Sequence, residues 1–220
     1  MEQFSVTKTK DGFQIEGFPD AAKVIRIKGP KAKRLADLSL HKSDLEFASE
    51  CLATINQVSD KPWVLRQALW RSAIIHYMKC FGDNKARGQL DSKKIYKGNA
   101  GALTAFDYFK YLRNKHVVHD ENAYTQSLPG AILNKPGKSY KIEKIVCFNA
   151  TGLTLTQVNY SNLHQLIQEA KEWVVREYDN LCDILTKELE SKSYEELDIL
   201  EPMTYTTPKL EEIKEKRSTS

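Results

Sequence analysis

No apolar run in this chain approaches the ~18 residues that a membrane-spanning helix requires. The opening Met1-Glu-Gln-Phe-Ser-Val-Thr-Lys8 lacks the charged-then-apolar pattern of a secretory signal. These absences lead to the expectation of a cytoplasmic protein that contacts no membrane. The four cysteines, Cys51, Cys80, Cys147 and Cys182, are far apart and form no C-x2-C pair. A structural zinc site is therefore not expected, and free, largely buried thiols are. An HExxH helix, a nucleophile elbow and a phosphate-binding glycine loop are all missing, and no internal repeat is present. Strong charge of one sign is missing too. A net charge of +4 over 220 residues is only mildly basic, so any nucleic-acid role has to rest on local patches.

At 41% hydrophobic the chain can bury an adequate core, and its length fits one domain, or one domain with appendages. Phe4 to Thr9 and Phe13 to Glu16 alternate around Lys10-Asp-Gly12, which predicts a short N-terminal β-hairpin. Val24 to Ile27 reads as a short strand, and Gly29-Pro30 break the chain. Leu35, Leu38, Leu45, Phe47, Ala48, Leu52 and Ile55 then suggest one or two helical segments. Asp60-Lys-Pro-Trp63 reads as a cap opening a helix to Phe81, ended by Gly82. Apolar residues surround that helix nearly completely, which predicts a central place in a bundle and makes His76 a satisfied core histidine.

From Asp83 to Gly101 the chain is polar and carries Lys85, Arg87, Lys93, Lys94 and Lys97. It reads either as a solvated connection or as an arm attracting phosphate. Next comes a helix beginning near Ala102 to Thr104, with Ala105, Phe109, Leu112 and His116 as its apolar seam. Leu128-Pro-Gly130 and Lys135-Pro-Gly137 interrupt the helical pattern. Tyr140 to Phe148 and Leu153 to Val158 then read as the two strands of a second hairpin. Ser161 is the expected N-cap of the longest helix, periodic from Leu163 to Leu189. The expected division is an N-terminal hairpin extension over 1–30, a helical bundle over 31–195 with a hairpin insertion at about 138–160, and a polar tail over 196–220.

The residues that carry chemistry are Arg113, Asn114 and His119, at the end of the helix. Arginine offers a fixed cation whose donor fork suits phosphate oxygens, and histidine exchanges protons near neutrality. The bland alternative is an exposed helix end where basic side chains suit the dipole. In an ideal helix Arg113 and His119 would lie about 120° apart around the axis. They meet only if the helix ends or bends before His119, or if a second subunit supplies another copy. A metal site at His116-x-x-His119-Asp120-Glu121 is disfavoured, because His116 falls on the packed seam and no third ligand has a defined spacing.

The order Arg113, polar Asn114, four residues, His119 resembles the R-polar-x4-H form of the motif that marks the HEPN superfamily. The preceding helix from Ala68 to Phe81, the basic linker and the motif helix resemble prokaryotic HEPN-like proteins of unassigned role, over roughly residues 62 to 124. The resemblance implies a mainly α fold, an antiparallel HEPN-like helical bundle, and a homodimer formed through the motif helix. It also implies a metal-independent endoribonuclease without cofactor, in a toxin or phage-defence setting, with an antitoxin protein as a further possible partner. RNA would be cleaved by 2′-hydroxyl attack on the adjacent phosphate, with His119 as general base and Arg113 holding the developing charge. Asn114 would orient the phosphate or His119, and Lys85, Arg87, Lys93, Lys94 and Lys97 would bind RNA. The alternative is a non-catalytic HEPN-like module that binds a nucleotide, nucleic acid or protein through the same surface.

Overall fold

Pro30 has no N–H to donate, and it occupies the first position of a 28-residue helix, α1 (Pro30–Gln57), where that donor would go unused. Gly29 precedes it at φ +109°, a conformation open to glycine, and its carbonyl accepts from Lys33 N–H at 3.0 Å. In a computed structural model of the chain, the described residues are 6–9, 12–15, 17–18, 20–57, 63–83, 86–119, 121–204 and 209–214. The protein is mainly helical. The strands β1 (Val6–Thr9) and β2 (Gly12–Ile15) precede α1, followed by α2 (Trp63–Lys79), α3 (Ser92–Ile95) and α4 (Ala100–Leu112). A π-helical turn (Arg113–Val118), β3 (Thr125–Leu133) and β4 (Ile142–Thr151) come next. The order ends with α5 (Gln157–Glu190), α6 (Tyr194–Asp198) and a 3-10 turn (Leu210–Lys214).

The chain divides into two compact units, residues 1–43, 82–90 and 171–220, and residues 44–81 and 91–170. In the first unit β1 and β2 pair antiparallel, Val6 opposite Ile15 and Thr9 opposite Gly12, so the expected N-terminal hairpin forms. Of its expected turn, Lys10 and Asp11 lie outside the described residues. The expected strand at Val24 to Ile27 is only an isolated bridge, Ile25 to Pro202. It is fixed by Arg26 N–H to Glu201 O at 2.8 Å and Met203 N–H to Val24 O at 2.8 Å. Residues near 200 were expected to begin a polar tail, and they are instead tied to this segment. Lys28 adds an ion pair to Glu201 at 2.6 Å, and α6 opens with a reciprocal Ser193–Glu196 capping box.

The second unit holds most of the core. Leu45, Ala48, Leu52 and Ile55 recur along α1 at three- and four-residue spacing and are all buried. Trp70, Ala73, Ile74 and Tyr77 do the same on α2, and Leu163, Leu166, Ile167 and Ala170 on α5. The long segments 35–55 and 163–189 thus form helices, as their periodicity predicts. The helix α2 is not enclosed all round, however. Trp63, Val64 and Leu65 in its first turn stand exposed, and its expected cap residues 60–62 lie outside the described residues. His76 is held as expected of a satisfied histidine, but by a charge: Asp44 Oδ1 lies 2.9 Å from both His76 Nδ1 and Lys79 Nζ.

The second hairpin forms with a different partner from the expected one. β4 pairs with β3, Thr125 opposite Thr151 and Leu128 opposite Phe148, so the insertion spans 125–151 rather than 138–160. Pro129 sits inside β3 opposite Cys147. Each strand of a two-stranded ribbon has a free edge, where a residue without N–H is tolerated. The turn falls at Lys135-Pro-Gly137, with Gly137 at φ +102°. Leu153 to Thr156 is not a strand. It leads into α5, which starts at Gln157, ahead of the expected Ser161, because Thr156 Oγ1 accepts from Asn159 N–H at 3.2 Å. All four cysteines are free, but Cys147 is exposed on β4 rather than buried.

Candidate functional site

Asn99 caps the helix α4, its Oδ1 accepting from Ala102 N–H at 3.0 Å. From there Ala102, Phe106, Phe109 and Leu112 turn inward at four- and three-residue spacing. Ala105, expected on that seam, is only half-buried. At Arg113 the helix widens into the π-helical turn, which packs against α2 and ends at Val118. Single π turns inside α-helices are costly and are found often at functional sites. Glu121 N–H returns to Lys115 O at 2.9 Å beyond the turn.

The π turn places the three motif residues differently. Arg113 is half-buried, and its Nη1–H donates to Asn114 Oδ1 at 2.7 Å. Its Nε–H is buried with no hydrogen-bond partner among the described residues. Asn114 was expected to orient a phosphate or His119, and its amide oxygen instead holds the arginine beside it. His119 is the first residue past the turn, exposed, with extended backbone at φ −123°, ψ 156°. It has left the helical cylinder on which the angular offset from Arg113 was reckoned.

His116, expected to be packed, is half-buried. Its ring centroid lies 5.6 Å from that of Tyr124, and its Nδ1 is buried without a hydrogen-bond partner among the described residues. It lines a cavity of about 590 Å³. The cavity's other walls are Trp63, Gln67 and Arg71 of α2 and the segment from Thr151, the last residue of β4, to Thr154. Trp70 Nε1–H donates to the buried Thr154 Oγ1 at 3.1 Å, and Asn159 Nδ2 donates to Thr154 O at 2.8 Å. These bonds hold the post-hairpin segment against the helix. Sequence reasoning missed this cavity, because Trp63 and Leu153 read as ordinary helix and strand residues.

The basic stretch before α4 is folded, not a loose connection. Leu90 and Tyr96 are buried, and Asp91 Oδ1 accepts from Lys93 N–H at 2.9 Å at the start of α3. Lys93, Lys94 and Lys97 are exposed on the second unit. Arg87, expected to bind RNA, belongs to the first unit and is only 7% exposed. It is enclosed near His41, whose pKa its charge helps to lower, so it is not placed to meet a phosphate backbone. Lys85 lies outside the described residues. Among the described residues no group of three or more His, Cys, Asp or Glu is placed to hold a metal ion, and no helix is long and apolar enough to cross a membrane. Asp120, considered above as a ligand, lies outside the described residues.

The chain matches no protein family, no curated protein and no solved structure.

Proposed function

We propose that this protein is a metal-independent endoribonuclease of HEPN type, working as a homodimer through α4 in a toxin or phage-defence setting. His119 takes the proton of an RNA 2′-hydroxyl, and the oxygen attacks the adjacent phosphorus. The bond to the 5′-oxygen breaks, and that oxygen is protonated from solvent, leaving a 2′,3′-cyclic phosphate. Arg113 holds the charge that develops on the phosphate, and exposed Lys93, Lys94 and Lys97 draw in the strand.

The observation that carries this reading is the end of the π turn at Val118. It releases His119 from the helix while Arg113 stays in it, which is the condition on which a base and a phosphate clamp six positions apart can serve one substrate. Arg113 is half-buried with one guanidinium nitrogen held by Asn114, which fixes the direction of the cation that would meet the phosphate. A non-catalytic module binding a nucleotide, nucleic acid or protein is the second reading. It is favoured by the exposure of His119, whose ring no described residue orients.

The test incubates the full chain with total RNA in EDTA. Wild type cleaves, and Arg113→Ala and His119→Ala each lose about 10²-fold or more in rate. Equal cleavage by all three removes these residues from the mechanism. A 5′-phosphate product points to an activated water rather than the 2′-hydroxyl.

A further inference from the structure

The cavity beside His116 combines features that one ligand class satisfies together. Trp63 presents an indole that is 56% exposed at the cavity wall, a face suited to stacking a planar ring. Of the other lining residues, Gln67 of α2 and His116 of the π turn each have a buried side-chain nitrogen, Nε2 and Nδ1, with no hydrogen-bond partner among the described residues. Buried polar atoms left unpaired are costly, so a ligand that pairs them is favoured. Arg71, exposed on α2 one turn beyond Gln67, supplies a cation at the cavity. An apolar side chain or an acyl chain would cover Trp63 but leave Gln67 and His116 unsatisfied. A single imidazole is too few ligands for a metal ion. A nucleobase offers a π face for Trp63, an edge of donors and acceptors for Gln67 and His116, and a neighbouring phosphate for Arg71. At about 590 Å³ the cavity has the size of a small-molecule site.

We propose that this cavity receives one unstacked nucleobase, held against Trp63 and read by Gln67 and His116. The base belongs to the RNA strand cleaved at Arg113 and His119. Only that identification of the strand rests on the ribonuclease reading; the stacking, pairing and charge do not. With one base swung into the cavity, cleavage acquires a sequence preference at a fixed distance from the scissile bond, set by which edge pairs with Gln67 and His116.

The test measures binding of a fluorescein-labelled ten-nucleotide RNA carrying 2′-O-methyl groups, which cannot undergo 2′-hydroxyl attack, together with calorimetric titration of the four nucleoside 5′-monophosphates. The proteins are the full-length wild type, Trp63→Ala, Trp63→Phe and Gln67→Leu, each checked by circular dichroism. Trp63→Ala should weaken oligonucleotide binding at least about tenfold, and Trp63→Phe should recover most of it. Gln67→Leu should alter the preference among oligonucleotides differing at one base. Monophosphate binding that needs Trp63, without oligonucleotide binding, assigns the cavity to a free nucleotide. Equal oligonucleotide affinity for wild type, Trp63→Ala and Gln67→Leu, or no binding of either probe, overturns the proposal. Cleavage of unmodified RNA by His119→Ala is followed in parallel. If His119→Ala cleaves like wild type while Trp63→Ala loses binding, the cavity stands and the nuclease assignment falls. The reverse pattern removes the cavity and leaves the nuclease.

Discussion

His41 Nε2 lies 2.8 Å from the carbonyl oxygen of Gly88. A carbonyl can only accept, so His41 carries its proton on Nε2. Four residues earlier on the same helix, Asp37 Oδ2 accepts the N–H of Gly88 at 3.0 Å. One residue of the segment before Leu90 is thus gripped through both its backbone groups by a single face of α1. Burial first, and then the charges of Arg87 and Arg34, lower the His41 pKa from 6.5 to about 4. The hydrogen bond to Gly88 works in the opposite direction.

That depression makes stability fall in acid. The folded protein keeps His41 neutral down to about pH 4, whereas the unfolded chain takes up the proton near 6.5. Between those values the unfolded state binds more protons, so stability present above pH 6.5 is lost as pH falls toward 4. At about 1.4 kcal/mol per pKa unit the loss is on the order of 3 kcal/mol. Urea unfolding at pH 7.5, 6 and 5 should show it, and His41→Gln, which retains a donor for Gly88, should flatten the slope. Parallel slopes for the two proteins would mean that His41 titrates alike folded and unfolded.

Tyr96 and Tyr77 are predicted to be unequal although they share one hydrogen bond. Tyr96 O–H donates to Leu166 O at 2.9 Å, which commits its only proton, so Tyr77 is the donor in the 2.7 Å contact between the two hydroxyls. Burial pushes both phenols above their usual pKa. Tyr96→Phe leaves the buried Tyr77 proton without its acceptor and takes a second donor from the Leu166 carbonyl, and should cost about 1–3 kcal/mol, while Tyr77→Phe should cost nearer 1 kcal/mol. Chemical denaturation of both variants checks the order, and equal losses would refute the assigned direction of donation.

Gly152 leaves room for an aromatic ring. A Cβ there would lie 2.7 Å from Cδ1 of Tyr124, and that ring in turn neighbours His116. Gly152→Ala should therefore displace Tyr124 and destabilise by about 1–3 kcal/mol. In the Tyr124→Ala background the same substitution should cost little, since the obstructing ring is gone. Additive losses in that double-mutant cycle would show that the two residues do not meet.

Lys93 and Lys94 are exposed on α3, and their proposed role is electrostatic. Affinity for single-stranded RNA should fall with salt at a slope of about −0.7 per phosphate contact. Replacing both lysines by alanine should make that slope shallower by about 1.4 if each meets one phosphate. An unchanged slope with reduced affinity would mean that they act through structure rather than charge.

The parts of the fold legible in the sequence were those set by long periodicity. The spacing of Leu163, Leu166, Ile167 and Ala170 has only one helical solution. Pairing of short strands was less legible. Pro129-Gly130 reads locally as a break, yet both residues sit inside β3, because the free edge of a ribbon forgives a missing donor. The charge of Arg87 gave no sign that the residue is enclosed, since burial of an ion depends on partners distant in sequence. Arg113 and His119 stood out in the sequence by residue type and spacing, but the π turn between them did not. The cavity beside His116 was hidden for another reason. Its walls come from residues 63–71, 116 and 151–154, and no local pattern announces that three such segments converge.

Neither unit is one continuous stretch of chain, the first being gathered from three segments and the second from two. On the ribosome this imposes an order. The second unit cannot close until the start of α5 emerges, because Tyr160 O–H reaches back to Leu52 O across 108 positions, and the first unit waits for everything after Ala170. Such distant closures make for slow assembly, with helices formed early and held apart. A nascent chain halted before Leu163 would thus lack the buried Leu163, Leu166, Ile167 and Ala170 of α5 and leave the second unit's core incomplete, a substrate for chaperones rather than a half-finished protein.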